Sequence, residues 1–84
     1  MSVNGPQSRY QPLRGTARLL LLSLRRGQEF TGPVERLAEL VGATPRRVWL
    51  ALAVLAERQL VRAAAAGPGH VRVAVTRTGR AIRL

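Results

Sequence analysis

The chain has no cysteine, no lysine and no aspartate, and only one residue each of histidine, tryptophan, tyrosine and phenylalanine. Without cysteine, neither a disulfide framework nor a thiolate metal site is open to it, so stability must come from packing. Four scattered glutamates and one histidine supply almost no material for an acid–base pair or an activated nucleophile. His70 has no second metal ligand to work with. The expectation is a non-enzyme with no cofactor, no metal and no small-molecule substrate. There is also no run of about 18 apolar residues, so no membrane-spanning helix is expected. The opening MSVNGPQSRYQPLRG lacks the apolar core of a signal peptide, which gives a cytoplasmic expectation.

What the chain has in quantity is arginine. All 14 basic residues are arginine and all 4 acidic ones are glutamate, for a net charge of +10 on 84 residues. Such an imbalance favours polyanions, because phosphates neutralised by arginine release condensed counterions. Compositional bias and a solvated basic surface are the alternatives. A hydrophobic content of 46% on this length supports one small domain with one modest core.

Residues 1–15 contain Gly5, Pro6, Pro12 and Gly15 and no periodic apolar pattern, which reads as a flexible basic arm carrying Arg9, Tyr10 and Arg14. The domain proper is expected over 16–84. In TARLLLLSLRR, Ala17, Leu20, Leu21 and Leu24 share one helical face, with Thr16 placed to cap and Arg25 and Arg26 suited to the C-terminal dipole. Leu19 and Leu22 lie off that face, which suggests a second contact surface. Gly27–Gly32 reads as a connector anchored by Phe30, after which Thr31 and Pro33 start a second helix. There Val34, Leu37, Ala38 and Val41 form the apolar stripe, and Glu35, Arg36 and Glu39 point outward. Gly42 stops it.

The stretch from Ala43 to Arg62, ATPRRVWLALAVLAERQLVR, holds the longest helix. Thr44 is a good N-cap and Pro45 is cost-free in the first turn. Arg46 and Arg47 then oppose the macrodipole, so they are either placed for an anionic partner or solvated. Val48, Ala51, Leu52, Leu55 and Gln59 are expected to face the core. Beyond Leu60 the period falls to 2. Val61, Ala63 and Ala65 alternate, and so do Val71, Val73 and Val75, on either side of AGPGH, which reads as a β-hairpin. His70 and Arg72 would point outward. The tail TRTGRAIRL reads as a short terminal helix or turn, capped by Thr76, with Ile82 or Leu84 packing back and Gly79 weakening it by about 1 kcal/mol relative to alanine.

Three helices, a tight turn between the second and third, and a hairpin resemble a winged helix-turn-helix domain. VERLAELVGATPRRV resembles that family's helix-turn segment, LAVLAERQLVR its exit into the wing, and VTRTGRAI the segment after the last strand. Gln59 stands where the family often has glycine. The resemblance implies an α+β fold of three helices with a two-stranded wing, and double-stranded DNA as the partner. The function it implies is that of a small transcriptional regulator or plasmid or phage DNA-binding factor, acting as a nucleoid-associated homodimer.

On that footing Thr44, Arg46, Arg47 and Leu50 approach a major groove, while His70, Arg72, Arg77 and the arm residue Arg14 contact phosphates or the minor groove, as do Arg62 and Arg80 beside the wing. On a 100° wheel Arg46, Arg47, Leu50, Ala53, Val54 and Glu57 face away from the core, and only the two arginines carry base-reading chemistry; the apolar residues meet thymine methyls at best. Trp49 is expected as partly buried packing surface. Trp49, Ala53 and Val54, with Leu19 and Leu22, are the candidates for a protein interface. The alternative function is therefore a winged-helix interaction module that docks the apolar face of helix three.

Overall fold

A computed structural model describes residue 13, residues 15–27 and residues 29–83. The expected arm residues Arg9, Tyr10 and Arg14, and the docking of Leu84, lie outside the described residues. Among the described residues the fold is α+β: helices α1 (Gly15–Leu24), α2 (Val34–Val41), α3 (Pro45–Glu57) and α4 (Arg77–Ala81), with strands β1 (Glu29–Pro33), β2 (Val61–Ala65) and β3 (His70–Val75). The three strands form one antiparallel sheet in the order β1-β3-β2.

The core joins the inner faces of three helices to the middle strand. Leu20, Leu21 and Leu24 of α1, Val34, Leu37 and Ala38 of α2, and Val48, Ala51, Leu52 and Leu55 of α3 are buried together with Leu60, Val61, Val71 and Val73. Each helix supplies residues three and four apart, so a single stripe per helix is enough to close the core. Leu13 is buried in the same cluster, so the packed body begins ahead of the expected boundary at residue 16.

Strand β1 corrects the expected connector and the expected two-stranded hairpin. EFTGP shows no useful periodicity over five residues. It is a strand because it pairs with β3 over its whole length, Phe30 opposite Val73 and Gly32 opposite Val71, and that partner is about forty residues away in the chain. Pro33 has no N–H to donate, which an edge strand tolerates. The second helix accordingly begins at Val34, with Thr31 inside the strand and no side-chain cap. Its first N–H is satisfied at a distance: Val34 N donates to the Gly69 carbonyl in the hairpin loop at 3.0 Å. Thr16 is likewise not the cap of α1, because the helix already includes Gly15.

Helix α2 ends on Gly42, whose φ of 66° is the left-handed conformation that glycine adopts without penalty. Ala43 N then donates to Ala38 O at 2.9 Å, closing the helix as a Schellman turn. Only residues 42–44 separate α2 from α3. Thr44 caps α3 as expected, its Oγ1 accepting from Arg47 N at 3.2 Å, with Pro45 in the first position.

The far end of α3 departs from expectation. The helix stops at Glu57, and Gln59 is exposed rather than core-facing. Leu60 N donates to Leu55 O at 2.9 Å, so this end is also a Schellman closure, with Gln59 in the left-handed position at φ 61°. In β2, Ala63 and Ala65 are exposed although they share the inward row with Val61. β2 is one of the two outer strands, and only its first residue, Val61, is buried. Val71 and Val73 of the central strand are buried and Val75 is half-buried.

The tail forms α4, whose cap Thr76 accepts from Gly79 N at 3.0 Å and donates through Oγ1 to Gln59 O at 2.7 Å. Gly79 is not the weak point expected. It is buried against the Leu60 carbonyl oxygen, which an added Cβ would overlap. Ile82 packs on the core as expected.

Candidate functional site

Helix α3 shows one face to the core and leaves the other open. Arg46, Arg47, Leu50, Ala53, Val54 and Glu57 are all exposed, as the helical wheel predicts. Leu50 is 58% exposed and Val54 37%. Trp49, expected as partly buried packing surface, is 45% exposed, on the flank that also carries Ala53. A 13-residue helix is thus anchored along one stripe and accessible over the rest of its circumference.

At the start of this helix no acidic residue occupies the first turn. The partial positive charge of the helix N-terminus and the two guanidinium groups therefore add, and the sum attracts an anion. Thr44 Oγ1 is engaged as acceptor by the Arg47 N–H. Its hydroxyl proton remains a donor for an incoming oxygen.

A second set of polar groups lies on the outward face of the sheet. Strand register places Arg72 between Thr31 and Ala64, and Ala74 between Glu29 and Arg62. Successive residues alternate faces, so His70, Arg72, Arg62, Thr31 and Glu29 share the face opposite Val71 and Val73. His70 is held at the hairpin loop: its Nδ1 lies 2.9 Å from the Pro68 carbonyl oxygen, to which the Nδ1–H tautomer donates.

The cations picked out by sequence do not all converge. His70 and Arg72 sit near the loop end of β3, whereas Arg77 follows its other end. Arg77 instead shares an open groove of about 410 Å³ with Arg62, Gln59, Thr76 and Thr78. Arg80 is exposed, and its guanidinium donates to the carbonyls of Arg25 and Gly27, which tethers it beside the end of α1 rather than over the wing. Arg25 makes the complementary bonds to Arg80 and Ile82. Nothing in the sequence signals this pairing across a separation of 55 residues.

On α1, Leu19 and Leu22 are exposed on the side away from the core. One apolar residue escaped the sequence reading: Leu40 of α2 is 62% exposed and borders a cleft of about 140 Å³ with Phe30, Leu24 and Leu37. Its position off the Val34–Leu37–Ala38–Val41 stripe was the available signal. Among the described residues no group of three or more potential metal ligands gathers, and no helix is long and apolar enough to cross a membrane. In comparison with known proteins, the chain matches no family model, no curated protein and no solved structure.

Proposed function

We propose that this chain is a winged helix-turn-helix protein that binds double-stranded DNA, with α2 and α3 as the helix pair, α3 as the groove helix and β2–β3 as the wing. The observation that carries the reading is the open face of α3, with Arg46 and Arg47 exposed at its capped N-terminal end. A major groove about 12 Å wide admits one helix, and two arginines at the tip supply donors for guanine O6 and N7. Arg72 and Arg62 on the outward sheet face, with His70 at the loop, contact phosphates. β1 extends the wing sheet sideways, and Thr31, Arg62 and Arg72 on that face are exposed. The net charge of +10 supports the same partner.

The protein acts in this reading as a nucleoid-associated, cytoplasmic regulator or plasmid or phage DNA-binding factor. Two copies join through Leu19 and Leu22 on the outward side of α1, which leaves both α3 helices free. A second reading is favoured by one specific observation, the 45% exposure of Trp49 beside Ala53 and Val54: α3 docks on a protein instead.

The test is a titration of a duplex at several salt concentrations. If about six phosphates are neutralised, log K falls against log salt with a slope of about −5. Absence of binding at low salt, or a flat response, sinks the DNA reading. Replacing Leu50 and Val54 by glutamate separates the two: a dimer that becomes monomeric by light scattering, with duplex affinity intact, favours the protein-docking reading.

A further inference from the structure

We infer that α3 recognises the C5-methyl groups of thymine, and that its preferred duplex places thymines within about two base pairs of a guanine; this rests on the DNA reading above. The face of α3 opposite the core consists of Arg46, Arg47, Leu50, Ala53, Val54 and Glu57, with the exposed Trp49 on its flank. It holds no amide and no hydroxyl side chain. Adenine is read in the major groove by a paired acceptor and donor on asparagine or glutamine, and this face has neither. Cytosine offers a donor to a carboxylate, and the one carboxylate, Glu57, ends the helix about 16 Å along the axis from Arg46. Two kinds of base-edge group remain legible to this face: the acceptors of guanine, through arginine, and the methyl of thymine, through apolar contact.

The spacing makes these two readings neighbours. Leu50 follows Arg46 by four residues and Arg47 by three, so it lies on the same side one turn on, about 6 Å along the axis. Val54 and Ala53 repeat the step from Leu50. Base pairs stack at about 3.4 Å, so one helical turn spans about two of them. Leu50 at 58% exposure has apolar surface to bury against a methyl, whereas water is its partner otherwise. A second copy of the chain is the competing occupant of this patch. The patch is confined to one helix and starts at Arg46 and Arg47, with no acidic residue in the first turn, so a second copy docked there would set arginine against arginine, whereas a duplex neutralises them.

The experiment uses the full chain and a random-sequence duplex library. Bound duplexes are enriched and sequenced, and the preferred one is then resynthesised with uracil in place of thymine, which removes only the methyls. Each lost methyl contact weakens binding about threefold to fourfold, the factor corresponding to roughly 0.8 kcal/mol for one buried methyl-sized group. Two contacts therefore give about a tenfold loss. Leu50→Ala and Val54→Ala, checked for folding by circular dichroism, should each narrow the difference between the thymine and uracil duplexes. Equal affinity for the two duplexes, with duplex binding intact, overturns the methyl inference and leaves the DNA reading standing. No binding to either duplex at low salt overturns both.

Discussion

Arg25 and Arg80 each donate to the other's main-chain carbonyl, Arg25 Nη2 at 2.6 Å from the Arg80 oxygen and Arg80 Nη1 at 3.5 Å from the Arg25 oxygen. Each guanidinium also reaches one further carbonyl, Arg25 to Ile82 and Arg80 to Gly27, both at 3.1 Å. The accepting oxygens lie at and just beyond the C-terminal ends of α1 and α4, where carbonyls lack helical partners and the dipole is negative. Two like charges are thereby held close by the backbone between them. Arg25→Ala should lower stability by about 1 kcal/mol in denaturant titration and speed amide exchange in α4. Lysine at position 25 should restore less than half of the loss, because an ammonium lacks the fork. Unchanged exchange in α4 would refute the clasp.

The same geometry separates arginines by task. Arg72 is exposed on the outward sheet face, and its replacement by alanine should make the salt slope of duplex binding shallower by about 0.9, one phosphate's worth. Arg80→Ala should leave the slope unchanged while lowering the unfolding midpoint. Equal effects of the two substitutions on the slope would contradict the assignment.

Gly79 is required for close approach rather than for a turn. A methyl group there would meet the Leu60 carbonyl oxygen and, at 2.8 Å, Val75 Cγ1. Although alanine has the better helix propensity, Gly79→Ala should destabilise by about 1–3 kcal/mol, the usual range for overpacking. A stability gain in thermal or chemical unfolding would show that α4 can move off the Leu60 carbonyl without cost.

Gln59 occupies a left-handed position at φ 61°, where a side chain costs energy and glycine does not. Gln59→Gly should therefore stabilise by about 0.5–1 kcal/mol after the extra conformational entropy that glycine gives the unfolded chain is counted. Its carbonyl would go on accepting from Thr76 Oγ1, so the folded structure should not change. A loss of stability would mean that the Gln59 side chain contributes more than its backbone costs.

The helices were legible in the sequence because each carries its own period. Val34, Leu37 and Ala38, and likewise Val48, Ala51, Leu52 and Leu55, declare their buried faces locally, and Thr44 and Gly42 mark ends by chemistry that acts within a few residues. β1 was illegible for the opposite reason: its hydrogen bonds belong to β3, and EFTGP has too little apolar content to announce them. Gly79 was misread because helix propensity is a local quantity and the Leu60 carbonyl is a tertiary neighbour. Of the candidate site, the outward α3 face was visible from periodicity, since exposure is the complement of the core stripe. The tethering of the Arg25 and Arg80 guanidinium groups to main-chain carbonyls was not, because identical side chains carry no mark of where they fold.

The placement of β3 between two partners also sets an order of events during synthesis. Glu29–Pro33 leaves the ribosome well before His70–Val75, and until the later segment emerges the earlier one lacks the strand with which it pairs. The first N–H of α2 waits as well, since it is satisfied from the hairpin loop at Gly69. The sheet therefore completes only once residues 70–75 have emerged, and nascent chains halted before residue 70 should remain sensitive to protease across the Glu29–Pro33 segment.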